Sequence, residues 1–334
     1  MWYNVYVGVF SKIYPSTMFY KVENVVACVP LSASDGREWA GCHRRKTMYQ
    51  LFCDSNCELW HTVVKELGLN LIRMPYIMGD EEIFYDMGEH HDFQGFFNAM
   101  REGATPKTAA LNEYAYTEYF EPILARGEDI YYITFSHQMS GTFNAMKNVI
   151  AQLKEKYPER EIRFKDSKLI SLGSGFITYY GALQYKNGAT MDELDAYLDE
   201  LIEHTATYFV VDDLTYLHRG GRVSGASKVL GNLLNIKPIL YFNEEGKIFN
   251  IEKAKGKKKA LSTLLGYMKE KATELDKYKV FILQADAETE AESFANSIRE
   301  TFGDVEIEIQ PVGPVIGAHC GPGTIGLIFH SKEK

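Results

Sequence analysis

The stretch Asp129-Ile-Tyr-Tyr-Ile-Thr-Phe135-Ser-His-Gln-Met-Ser140-Gly-Thr-Phe-Asn-Ala-Met146-Lys-Asn-Val-Ile150, running on through Leu153 to Tyr157, decides the fold. Ile130 to Phe135 is β-branched and aromatic with no turn residue, the composition of a strand buried on both faces. Met146, Val149, Ile150, Leu153 and Tyr157 then recur at three- and four-residue steps, which predicts a helix packing one face back on the sheet. Ser136, Ser140, Gly141 and Thr142 occupy the corner between them. Ser140 has the chemistry of an N-cap, and Gly141 lets a ligand approach the first free N–H groups. Those donors favour an anion. Two readings stand side by side: Ser140 only caps its helix, or the corner holds a negatively charged ligand.

Working outward, 334 residues with 46% apolar and 24% charged side chains are enough for a large core and two domains. A net charge of −9 argues against a nucleic-acid backbone or an anionic bilayer as the main partner. No apolar run approaches the ~20 residues a bilayer span needs, so stable membrane insertion is not expected. Five cysteines form no disulfide framework and fit a reducing, cytoplasmic setting. Cys53 and Cys57, with Cys28 and Cys42-His43 upstream, lack paired C-x-x-C knuckles, so plain thiols are expected and no metal.

Residues 1–47 differ from the rest, carrying six cations against three acids, a net +3 that leaves −12 for the remainder. They show no clear periodicity and no basic leader before the apolar start, a poor match to a signal peptide. Ordered patterning begins at Met48, the expected translation start, which the intact mass of the native protein tests. From there apolar runs alternate with helical periodicity. Strands are read at Tyr49–Cys53, Leu71–Met78 and Glu161–Lys165, and helices at Glu58–Leu67, Phe93–Arg101, Glu113–Ala125, Gly175–Gln184 and Met191–Leu201. That alternation predicts a mainly parallel sheet flanked by helices, with any ligand beyond the carboxyl ends of its strands.

The character changes near His204. Residues 48–203 form the predicted α/β domain and 204–334 an α+β domain: strand Tyr208–Val211, the basic turn Arg219-Gly-Gly-Arg222, helix Ser227–Leu234, and a hairpin Pro238–Phe242/Lys247–Ile251 around Asn243-Glu-Glu-Gly246. Helices at Lys257–Lys269 and Glu288–Thr301 and strands at Val280–Gln284, Val305–Ile309 and Ile325–Phe329 complete it. Gly313 to Gly323 reads as a loop of glycines and prolines that holds His319 on a rigid rim. Gly321-x-Gly323-x-x-Gly326 spells a dinucleotide fingerprint, but a strand follows where a helix is required, so no nicotinamide cofactor is expected. A hydrolase with Ser140 as nucleophile and His319 as base is conceivable, with Asp54, Asp166 or Asp212 as third member, although no G-x-S-x-G elbow occurs. Glu89-His-His-Asp92 reads as a solvated loop. Lys253, Lys255 and Lys257 to Lys259 form a basic run able to face an acidic partner.

Asp54-Ser55, Pro106-Lys-Thr108, Ser136 with Ser140-Gly-Thr142, Asp166-Ser167, Arg219-Gly-Gly-Arg222, Gly231-Asn-Leu-Leu234 with Ile236-Lys-Pro238, and His319 with Gly321-Pro-Gly323 run in register from about Met48 to the end. Together they resemble the DegV family, the fatty-acid-binding subunits of bacterial fatty acid kinase. The resemblance implies a two-domain α/β protein with a ligand cleft between the domains, holding one long-chain fatty acid. It implies that Thr108, Ser140 and His319 bind the carboxylate, with Ser136, Gly141 and Lys255 as further head-group or kinase contacts. Lys255 stands where the family has arginine, Ala109 where it has the serine of a Thr-Ser pair, and His137 where it has a second serine. It further implies a cytoplasmic carrier without chemistry of its own, presenting the carboxylate to a separate ATP-dependent kinase that makes the acyl phosphate for phospholipid metabolism. A serine acyl hydrolase, or a binding protein for another small anion, is the alternative.

Overall fold

The computed structural model describes residues 49–222 and 235–333, and the backbone of 17–22 and 25–30. Met1–Lys46 and Thr47–Lys334 are separate compact units. In the first, β1 (Thr17–Val22) and β2 (Val25–Pro30) form an antiparallel hairpin registered Thr17↔Pro30 to Val22↔Val25, where the sequence showed no periodicity. Cys28, Cys42, His43 and helix 227–234 with its Gly231 motif lie outside the residues whose side chains are described.

In the second unit, β3 (Tyr49–Asp54), β4 (Asn70–Ile72), β8 (Asp129–Thr134) and β9 (Ile162–Asp166) form a parallel sheet ordered β4-β3-β8-β9. β8 is buried along nearly its whole length, and α4 (Thr142–Lys156) returns from it with Met146, Val149, Ile150 and Leu153 buried. α3 (Glu113–Ala125) packs beside α4, and α5 (Leu172–Lys186) and α6 (Met191–Glu203) pack on each other. A six-stranded mixed sheet follows in the chain: β10 (Thr205–Val210), β11 (Ile236–Phe242), β12 (Ile248–Lys255), β13 (Val280–Gln284), β14 (Ile307–Pro311) and β15 (Ile325–His330), ordered β12-β11-β10-β15-β13-β14.

The alternation of a strand sorts the two faces of this second sheet. Tyr208, Val210, Ile282 and Leu327 pack under α8 (Lys257–Lys271) and α9 (Glu288–Phe302), whereas Phe209, Leu283 and Ile328 join the core shared with the parallel sheet.

Three local expectations change. Leu71–Met78 is not one strand: β4 ends at Ile72 and β5 (Pro75–Met78) starts a separate sheet ordered β6-β5-β7, with β6 (Glu81–Phe84) and β7 (Lys107–Thr108). Pro75 brings no N–H for a ladder, and Met74 N–H donates instead to Ser55 Oγ at 2.8 Å. The helix read from Glu58 begins at His61 as α1 (His61–Leu67), because Glu58 is left-handed at φ 60°. The supposed loop around His319 contains α10 (Pro314–Cys320), with proline at its start and Gly321 at its end. Gly246, at φ +82°, closes the β11–β12 turn, and a Cβ there would run into Ser136 Oγ. Gly246→Ala is expected to destabilise the chain by about 1–3 kcal/mol, read as a lowered denaturant midpoint; an unchanged midpoint would contradict this packing.

Candidate functional site

Thr108 ends β7, paired opposite Tyr76 of β5, and its Oγ1 shares a 2.9 Å hydrogen bond with His319 Nε2 across 211 residues of sequence. His319 reaches it from the last turn of α10, which packs on α7 (Leu214–Gly220). Gly220 leaves its Cβ space to the imidazole, whose Nδ1 has no partner among the described residues. Gly220→Ala is therefore expected to displace the ring and break the bond to Thr108. Loss of the Thr108 hydroxyl signal coupling to the ring in NMR would follow; an unmoved ring would refute the placement.

Thr108, Ser140 and His319 line one cavity of about 950 Å³ of atom-free space, its open mouth included. Phe135, Met139, Leu217, Val315 and Ile316 surround that end, while Phe209, Phe242, Leu283 and Ile328 line it from the second sheet. It lies beyond the carboxyl ends of β3 and β8, where a parallel sheet places its ligands. Arg222 lines the same cavity, its Nε donating to Met139 O at 3.3 Å and Nη1 to Gly220 O. This arginine brings a permanent cation to the cavity lining. Lys255 is exposed at the end of edge strand β12 and does not line the cavity. Ser136 is fully buried and donates to Gly246 O at 2.9 Å, so its hydroxyl ties β8 to the β11–β12 turn. Gly141 occupies the N-cap position of α4 already in helical conformation, while Ser140 Oγ accepts weakly from Thr142 N–H at 3.3 Å. Ser140 is thus largely available to the cavity. The Arg222 signal was present in the basic turn of the sequence, but nothing local said that the turn closes on α10.

Burial pushes His319 down to about 4, and the Arg222 guanidinium adds to it. The ring is neutral at pH 7. The unfolded chain takes up this proton near 6.5, so the folded state binds fewer protons between about 6.5 and 4, and stability falls as pH drops through that window. The whole effect is about 3 kcal/mol. His319→Gln is expected to flatten the acid limb of thermal unfolding between those values; an unaltered limb would contradict the burial. Two carboxyl groups behind the site act in the opposite sense. Burial raises Asp54 to about 7 and Glu58 to about 8, so their contributions are lost as pH rises from the ordinary carboxylate range through those values.

Among the described residues no catalytic triad is assembled around His319. Asp54 accepts from Tyr132 at 2.8 Å, Asp166 pairs with His137 at 2.5 Å, and Asp212 with Lys237 at 2.8 Å, leaving none to orient His319. Among the described residues no three His, Cys, Asp or Glu side chains gather at metal-binding distance, and Cys53, Cys57 and Cys320 are free buried thiols. No described helix is long and apolar enough to cross a membrane.

Two α/β sheets closing on an apolar cavity with a hydroxyl–imidazole pair at one end define the structural class. The chain belongs to the DegV family, whose model (uncharacterised protein, DegV family) matches residues 48–332. A DegV domain-containing protein of Clostridium perfringens is 34% identical over 86% of this chain and 98% of its own length. The fatty-acid-binding DegV family protein of Streptococcus agalactiae is 26% identical, covers 86% of this chain and 100% of its own, and superposes with TM-score 0.74. The fatty-acid-binding DegV of Bacillus subtilis is 26% identical over 85% and 99%, with TM-score 0.72.

Proposed function

We propose that this chain binds one long-chain fatty acid, with the carboxylate at Thr108, Ser140 and His319 and the alkyl chain against Phe209, Leu283 and Ile328. The observation that carries this reading is the Thr108–His319 pair in a cavity whose lining is mainly apolar. A buried carboxylate must be hydrogen-bonded or neutralised. Two hydroxyls, a neutral imidazole and the neighbouring Arg222 supply both kinds of contact. Burying a sixteen-carbon tail contributes about 12 kcal/mol gross at ~0.8 per methylene, which requires an enclosed apolar channel. The fatty-acid binding of DegV relatives supports the same ligand.

The chain then acts as a substrate carrier in the cytoplasm: it presents the carboxylate, beside Ser140 and Arg222 at the cavity mouth, to a separate ATP-dependent kinase that forms the acyl phosphate. No chemistry of its own is assigned, and the His319 Nδ1, which has no hydrogen-bond partner among the described residues, argues against the hydrolase. The test is phosphorylation of a loaded fatty acid by a fatty acid kinase catalytic subunit. Transfer that requires this chain and falls in Ser140→Ala supports the role, and loaded chain that never yields acyl phosphate would refute the presentation step.

A further inference from the structure

Thr207 interrupts the apolar row that the second sheet turns toward the cavity. Its neighbours on that face, Phe209, Leu283 and Ile328, are hydrocarbon, and Ile328 lies directly opposite it across the β10–β15 ladder. Thr207 Oγ1 has no hydrogen-bond partner among the described residues, and neither do Ser171 Oγ nor Asn56 Oδ1. All three residues line the cavity, with exposures of only 9%, 6% and 4%. An unpaired buried polar atom is disfavoured, and three along one cavity call for a ligand group.

Ser171 gives the stronger indication. It sits at the N-cap of α5, where a serine hydroxyl ordinarily accepts from its own helix, yet it makes no such bond. Its backbone stands at φ 56°, ψ −147°, a region that non-glycine residues occupy only under strain. The neighbouring Gly173 brings this turn against Thr207: a Cβ there would lie 2.9 Å from Thr207 Oγ1. The same helix start packs on the turn that carries Asn56, Gly175 abutting the Cys57 carbonyl oxygen. Asn56 Oδ1 can only accept, whereas the two hydroxyls can donate or accept. A group that satisfies this set must itself have a proton to give.

We propose that Asn56, Ser171 and Thr207 form a second polar subsite within the acyl cavity, which takes a hydroxyl group on the hydrocarbon chain and selects a hydroxylated long-chain acid over the plain one. A ketone or a double bond has no proton for Asn56, so it does not substitute. This specificity rests on the fatty-acid reading of the cavity.

The delipidated full chain is titrated with octadecanoic acid and with its 3-, 10- and 12-hydroxy derivatives. The expected result is that a hydroxy isomer binds about tenfold more tightly than the plain acid. Thr207→Val is expected to remove that preference and to bind octadecanoic acid more tightly, because valine leaves no hydroxyl unpaired. Ser171→Ala, checked for folding by circular dichroism, gives an independent second loss of preference. Octadecanoic acid binding as tightly as every hydroxy isomer would overturn the subsite and leave a cavity patch that holds water only. Failure of all four acids to bind would overturn the fatty-acid reading itself, and the subsite with it.

Discussion

His319→Ala is expected to weaken fatty-acid binding by about tenfold to a hundredfold, the worth of a hydrogen bond to a charged group. The substitution removes the imidazole donor and leaves the Thr108 hydroxyl without its 2.9 Å partner. It also opens space beside Gly220, whose Cα the ring covers. Thr108→Val removes the other half of the pair. If the two groups hold the carboxylate together, the double variant loses less than the sum of the single losses, since each depends on the other. Affinities measured by displacement of a fluorescent fatty acid give the three values. Strict additivity, or an unchanged affinity in His319→Ala, would place the carboxylate elsewhere.

The second large effect concerns the channel. Gly326 lies on β15 between Phe209 and Leu283, and a Cβ there would meet only their side chains at 3.4–3.7 Å, ordinary contact distances. Gly326→Leu therefore fits the sheet and projects four carbons into the cavity. Excluding about four methylenes of ligand removes about 3 kcal/mol, roughly a hundredfold in affinity for an eighteen-carbon acid. A ten-carbon acid is expected to lose much less. Equal losses for both lengths, with folding intact, would show that the tail does not run along this face.

The sequence was most readable where local chemistry and packing agree. α2 (Phe93–Arg101) and α3 begin and end where read, because Asp92 and Asn112 each cap the first turn with a side-chain oxygen accepting from Gly95 and Ala115 at 2.9 Å. The strand β8 and helix α4 were legible from their apolar spacing, although Gly141 and not Ser140 holds the N-cap position between them. α10 was not, since five of the eleven letters in Gly313–Gly323 are glycine or proline at its ends, and nothing local reveals that Pro314 starts a turn buried against Phe97 through Gly317. β1 and β2 were missed because their register comes from pairing with each other rather than from alternation along either.

The candidate site divides in the same way. Thr108, Ser140 and His319 were named through family motifs, and the fold brings them to one cavity. Lys255, named as a head-group or kinase contact, does not line the cavity, because charge type along the chain carries no information on which way an edge strand faces. Arg222, held by Met139 and Gly220 carbonyl oxygens, does line it. Asn56, Ser171 and Thr207 carry no motif, and only the unpaired state of their buried oxygens distinguishes them.

The central claim, a fatty acid held by its head beside His319 with its tail enclosed, is tested most directly by organic extraction of the purified native chain followed by mass spectrometry and quantitation. The account predicts long-chain fatty acid near one molecule per chain, falling sharply in Gly326→Leu. A chain that carries no fatty acid, and takes none up after delipidation, would contradict it.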